Sequence, residues 1–279
     1  MSTSPRPRKR FGQHWLRDSA ILDRIVAAAA LSDRDRVLEI GPGTGLLTQR
    51  LLAQAGAVVA VEVDRDLCRD LRSRFGQTPT FHLIEGDFLA LNWAAALADR
   101  PAFQAPNKVV ANIPYYITGP ILERLLGTIA APNPHPFEAI VLLVQQEVAQ
   151  RLCSEADSKA FGALSVRVQY LADCEWVCAV PPKAFQPPPK VSSAVVRICP
   201  RPIATPAHDP QLLARLVTLG FASKRKMLRN NLSSLLERDH LLAVFRDLNI
   251  PDTIRAENLS LANWVALSNK ILEDYPPSA

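Results

Sequence analysis

The chain has 279 residues, 48% of them hydrophobic, and 32 basic against 27 acidic side chains give it a net charge of +5. That length suits one large domain plus a small one, with enough apolar material for a full core. No apolar run reaches spanning length, which excludes a transmembrane helix, and the Ser/Pro/Arg-rich start lacks the apolar stretch of a signal peptide, so a cytoplasmic location is expected.

In chain order, Ile21, Leu22, Ile25 and Val26 recur at helical intervals and predict a helix over 19–31, capped by Asp18 or Ser19. Residues 36–40 then read as a short buried strand, followed by the glycine-rich loop Glu39-Ile40-Gly41-Pro42-Gly43-Thr44-Gly45 and a helix over 46–55. A second strand spans 58–63 and a charged helix 65–75; a third strand over 81–85 delivers Asp87 just past its end. Residues 109–111 form a fourth strand that delivers Asn112, 139–144 a fifth, and a helix covers 147–152. Segments 175–180 and 194–199 read as a late antiparallel pair around a proline-rich stretch over 181–189. A break at Pro200, Pro202, Pro206 and Pro210 precedes helices running to about Leu272, which puts the domain boundary near residue 205.

Strands alternating with helices imply an α/β fold, a parallel sheet with helices on both faces. In such sheets ligands lie beyond the carboxyl ends of the strands. Gly41, Glu62, Asp87 and Asn112 all sit there, and packing alone gives no reason for four such positions on one edge.

Glycines at 41, 43 and 45 after a strand permit tight turns and close approach of a ligand, but dehydrogenases use the same loop for dinucleotides. Glu62 at the second strand end suits the ribose hydroxyls of either NAD or S-adenosylmethionine. Asp87 at the third strand end favours the latter, because its carboxylate can accept from an adenine amino group while Phe88 packs on the ring; as a helix cap, Asp87 would need no ligand. Asn112-Ile113-Pro114-Tyr115 asks for something less common. An adenine N6 lone pair is delocalised into the ring and is a poor nucleophile. The Asn112 side chain and the Ile113 backbone carbonyl can accept its N–H groups and draw the nitrogen toward tetrahedral geometry. Pro114 fixes the turn, Tyr115 can stack on the base, and catalysis then rests on orientation and electrostatics.

The five cysteines (Cys68, Cys153, Cys174, Cys178, Cys199) are scattered without Cys-x-x-Cys spacing, so reduced thiols and no metal site are expected. Basic residues cluster at Arg6, Arg8, Lys9 and Arg10 and at Lys224, Arg225, Lys226 and Arg229, a pattern that favours nucleic acid.

Phe11-Gly12-Gln13-His14-Trp15-Leu16, the 39–45 loop, Asn112-Ile113-Pro114-Tyr115-Tyr116 and the segment from Phe185 to Ser193, FQPPPKVSS, together resemble the small-subunit (16S) rRNA adenine-N6 dimethyltransferases. FASKRK at 221–226 and RAENLS at 255–260 extend the resemblance over nearly the whole chain. It implies a Rossmann-like methyltransferase domain over 1–205 and a helical domain over 206–279. It also implies S-adenosylmethionine contacts from His14, Leu16, Gly41, Glu62, Asp87 and Asn112, with Phe185 facing the target base opposite Tyr115. The implied substrate is a pair of adjacent adenosines in the 3′-terminal hairpin loop of small-subunit rRNA, in an immature ribosomal subunit, modified by a monomer that needs no membrane. Enzymes that methylate an adenosine of large-subunit rRNA share the Asn-x-Pro-Tyr turn, but the 185–193 segment and the 255–260 tail look more like the small-subunit group. A non-catalytic assembly factor and a dehydrogenase are the remaining readings; the intact loop and turn argue against both.

Overall fold

The computed structural model describes residues 13–276. The clusters at Arg6 to Arg10 and the residues Phe11 and Gly12 fall outside that range. Contacts divide the chain into two compact units. One holds the chain up to Leu125 together with His135–Ala149 and Cys174–Pro200; the other holds Leu126–Pro134, Gln150–Asp173 and the chain from Arg201 onward.

In chain order the elements open with β1 (Trp15–Leu16) and α1 (Ser19–Ala29), then β2 (Arg36–Ile40), α2 (Leu46–Leu52), β3 (Ala57–Glu62) and α3 (Arg65–Phe75). They continue with β4 (Phe81–Glu85), the short α4 (Trp93–Ala96), β5 (Lys108–Asn112), α5 (Thr118–Leu126) and β6 (Ala139–Gln145). After α6 (Gln146–Cys153) and α7 (Ala163–Leu171) come β7 (Ala172–Val180), β8 (Phe185–Gln186) and β9 (Ser193–Pro200). Among the described residues, seven strands form one sheet in the order β4-β3-β2-β5-β6-β9-β7. β2 to β6 are mutually parallel and β9 runs antiparallel to β6. Every residue of β3 is buried, as are the first six of β6. Such unbroken Val/Ile/Leu/Ala runs are what a parallel sheet covered on both faces demands.

The order reverses between β2 and β5: the chain builds outward from β2 to β4, then returns to add β5 on the other side. The helices flanking such a reversal leave opposite faces, so a crevice opens at the carboxyl ends of β2 and β5. Helix starts next to that edge are fixed locally. Asp18 accepts the Ile21 N–H at 3.2 Å and Asp64 accepts the Asp66 N–H at 3.0 Å, caps worth about 1 kcal/mol each. β5 starts one residue earlier than its apolar run because Lys108 is buried, its ammonium donating to the Ala30 carbonyl at 2.8 Å and to Asp35 at 3.1 Å.

The second unit is helical: α7 with α8 (Pro210–Gly220), α9 (Leu228–Asn231), α10 (Arg238–Asp247) and α11 (Leu261–Asp274). Trp264 is fully buried at its centre and lies 5.6 Å from the Phe221 ring. Gly220 lets α8 approach it, since a Cβ there would stand 2.4 Å from the indole. No disulfide joins the cysteines. Among the described residues no helix is long and apolar enough to cross a membrane.

Candidate active site

At the reversal point the first unit holds a pocket of about 260 Å³. Its walls come from segments far apart in sequence: the β1 strand, the loop after β2, the ends of β3 and β4, and the turn after β5.

On the loop side, Gly41 has φ +67° and Gly45 φ +73°, conformations that side-chain-bearing residues rarely adopt. A Cβ at Gly45 would also stand 2.7 Å from the Phe75 ring, so glycine is required there twice over. Glu62, only 5% exposed, ties this loop to β3. One carboxylate oxygen accepts the Gly43 N–H at 3.1 Å; the other accepts the N–H groups of Val63 at 3.0 Å and Asp64 at 2.9 Å. Burial raises the Glu62 carboxyl above its ordinary value, and those three backbone donors work against the rise. Asp87 is exposed at the pocket wall; one of its oxygens accepts the Leu89 N–H at 2.9 Å, so it caps the turn it also faces out from.

Glu39 stands apart from these. The penultimate residue of β2, it is 1% exposed and lines the pocket, yet neither carboxyl oxygen has a hydrogen-bond partner among the described residues. Burial pushes its pKa up to about 8, with the Thr48 hydroxyl pulling the other way and the Glu62 charge adding to the rise. A buried acid left unsatisfied is costly. In the sequence Glu39 stands out from the loop motif only as a carboxylate among the apolar residues of RVLEI.

On the opposite side, Asn112 is the last residue of β5. Its side-chain NH₂ donates to the His14 carbonyl at 3.2 Å, which fixes the amide and leaves the Oδ1 as an acceptor. Ile113 is 2% exposed, and Ile113, Pro114 and Tyr115 follow Asn112 along the pocket wall. The Tyr115 hydroxyl lies 2.5 Å from the Ser193 hydroxyl, and burial raises the phenol above its ordinary value. His14 stacks near Tyr115, with rings 6.3 Å apart and 16° from parallel, and its Nδ1 is 2.8 Å from the Pro187 carbonyl oxygen.

His14 and Leu16 reach the pocket because β1 pairs with β8, Leu16 opposite Phe185 and Trp15 opposite Gln186. Phe185 is 4% exposed and belongs to the hydrophobic core against which Tyr115 packs; it is not among the pocket-lining residues. The other expected residues, His14, Leu16, Gly41, Glu62, Asp87, Asn112, Ile113, Pro114 and Tyr115, share the pocket.

The model of the ribosomal RNA adenine dimethylase family matches residues 5–273. A ribosomal RNA small subunit methyltransferase A from Picosynechococcus sp. is 61% identical over 271 residues, 97% of this chain and 99% of its own. Its counterpart in Synechococcus elongatus is 62% identical over 260 residues, 93% of each chain. Among solved structures, a dimethyladenosine transferase from Plasmodium falciparum superposes with a TM-score of 0.78 at 25% identity, covering 93% of this chain and 98% of that one. The 23S rRNA methyltransferase ErmE superposes at 0.70 and 26% identity, over 92% and 98%. The chain belongs to the ribosomal RNA adenine dimethylase family.

Proposed function

We propose that the chain converts two adjacent adenosines in the 3′-terminal hairpin loop of small-subunit rRNA to N6,N6-dimethyladenosine. In this reading it acts as a cytoplasmic monomer on an immature subunit, with residues 1–205 as the catalytic domain and 206–279 as a helical domain. As a family member it is an rRNA methyltransferase whose cofactor is S-adenosylmethionine. The small-subunit assignment draws on relatives near 60% identity that carry that name.

The residues present suit the cofactor. Its ammonium matches the unpartnered Glu39 carboxyl, its ribose hydroxyls match a carboxylate such as Glu62, and its adenine amino group matches Asp87. His14, Leu16, Gly41 and Asn112 complete the surrounding wall. When bound, the cofactor supplies an electrophilic methyl group.

The observation that carries the catalytic reading is the oriented amide of Asn112. Because its NH₂ is committed to the His14 carbonyl, its Oδ1 is free to accept an N–H from the target amine. The Ile113 carbonyl accepts the second N–H, and the two acceptors draw the nitrogen lone pair out of the ring. Oriented acceptors of this kind act by preorganisation, with no reorganisation during the reaction. Tyr115 stacks on the base and does not serve as a base itself, since its hydroxyl is held by Ser193 and its pKa is raised. The methylated nitrogen is acidic and gives its proton to water.

Radiolabelled methyl transfer to unmethylated small subunits, followed by mapping of the modified nucleosides, tests the proposal. Label in two adjacent dimethyladenosines of the 3′ hairpin supports it. No label, or label confined to other nucleosides of the small subunit, overturns it.

A further inference from the structure

Tyr115 sits in a single 3₁₀ turn, Tyr115–Ile117, with its ring packed against the hydrophobic core. What fixes its far end is the hydroxyl-to-hydroxyl hydrogen bond with Ser193 at 2.5 Å, across 78 residues of sequence. Ser193 is fully buried and opens β9, where it pairs with Gln145 of β6. Its backbone is therefore fixed by the sheet, and its Oγ can move only by rotation about the single Cα–Cβ bond. The ring is pinned at two points, its Cβ in the turn after Asn112 and its Oη on the sheet, and both its ends are set before any base arrives.

We propose that Ser193 is a positioning residue for methyl transfer: its hydroxyl anchors Tyr115 so that the ring meets the target base in one orientation. The inference rests on the reading that Tyr115 stacks on that base. Ser193 itself touches no substrate. Its contribution is orientational: an unpinned ring would present its face to the base in only part of its rotamer population, and a misplaced reactant loses rate more than affinity. The raised pKa of Tyr115 is consistent with a phenol kept neutral and engaged in this bond.

The test uses the full chain with unmethylated small subunits. Single-turnover rate, apparent RNA affinity, cofactor affinity and melting temperature are measured for Ser193→Ala, Tyr115→Phe and the double variant. Loss of one hydrogen bond at this strength corresponds to about a fivefold to tenfold slower transfer in either single variant. Cofactor affinity and RNA affinity should hold, and the double variant should be no slower than the worse single, because both changes delete the same bond. A Tyr115→Phe enzyme at the original rate, or single effects that multiply in the double variant, overturns the proposal. If Ser193→Ala does not fold, Tyr115→Phe decides alone, since it removes only the hydroxyl. Tyr115→Ala separates this inference from the reading beneath it. Impaired Tyr115→Ala with unimpaired Tyr115→Phe sinks only the Ser193 role, whereas unimpaired Tyr115→Ala sinks the stacking role itself.

Discussion

The two sides of the pocket are built differently. The loop side is made of neighbours: Gly41 to Gly45, Glu62 and Asp87 follow successive parallel strands, and three backbone N–H groups converge on one carboxylate. The turn side is assembled from afar. Asn112 is oriented by His14, 98 residues upstream, and Tyr115 by Ser193, 78 residues downstream. Local construction gives a site whose parts stand or fall with the sheet. Long-range construction gives one whose parts can be misaligned singly while the sheet stays intact. Substitutions on the loop side should therefore act on cofactor affinity, and those on the turn side on rate.

The largest expected effect is at Asn112. Asn112→Ala should slow single-turnover methylation about a hundredfold or more, the scale of losing one preorganised polar contact, while most cofactor affinity remains. Near-normal turnover would remove Asn112 from catalysis. Tyr115→Ala comes next, losing about 1–3 kcal/mol of base stacking. That loss should appear in turnover with cofactor affinity kept, and a defect only in cofactor binding would contradict it. On the loop side, Glu62→Ala should weaken cofactor binding about tenfold or more, since hydrogen bonds to a charged group are worth roughly 1.5–3 kcal/mol each. Calorimetry with unchanged affinity would exclude that role.

Glu39 gives a smaller, pH-dependent signal. Its carboxyl sits at about 8 in the folded chain against an ordinary 4.5. The folded state therefore binds the proton more tightly than the unfolded one, and stability is lost as pH rises through that window. Burial raises Glu62 in the same direction. Melting curves of the cofactor-free protein should fall with pH, and Glu39→Gln should flatten the slope; parallel slopes would assign the effect elsewhere. Smallest is the exposed Lys224, Arg225 and Lys226 group in the helical unit. Neutralising all three should flatten the salt dependence of subunit binding by roughly two in slope, at about 0.7 per phosphate contact. An unchanged slope would make the cluster an ordinary solvated face.

The same contrast governs how much the sequence reveals. The strands that lead to Gly41, Glu62 and Asn112 are legible because parallel strands buried on both faces read as apolar runs. Two-residue pairings such as β1 with β8 have no periodicity to read, so the partnership of the 15–16 and 185–186 segments is not visible in the sequence. α7 is also hidden: Ser165, Val166, Val168, Tyr170 and Leu171 are all buried, leaving no polar stripe to mark a helix. α5 opens with Thr118-Gly119-Pro120, which reads as a turn although proline is tolerated in a first helical turn. Ser193 is readable as a strand residue, but its bond to Tyr115 is purely tertiary.

In the proposed function one pocket holds the cofactor by its loop side and the target amine by its turn side. That arrangement is tested most directly by calorimetry with a conjugate joining adenosine, through its N6, to the methyl-transfer position of S-adenosylhomocysteine. The conjugate should bind more tightly than S-adenosylhomocysteine alone, and Asn112→Ala should remove that gain while most of the affinity for S-adenosylhomocysteine persists. Equal affinities for the two compounds, or a gain untouched by Asn112→Ala, would contradict it.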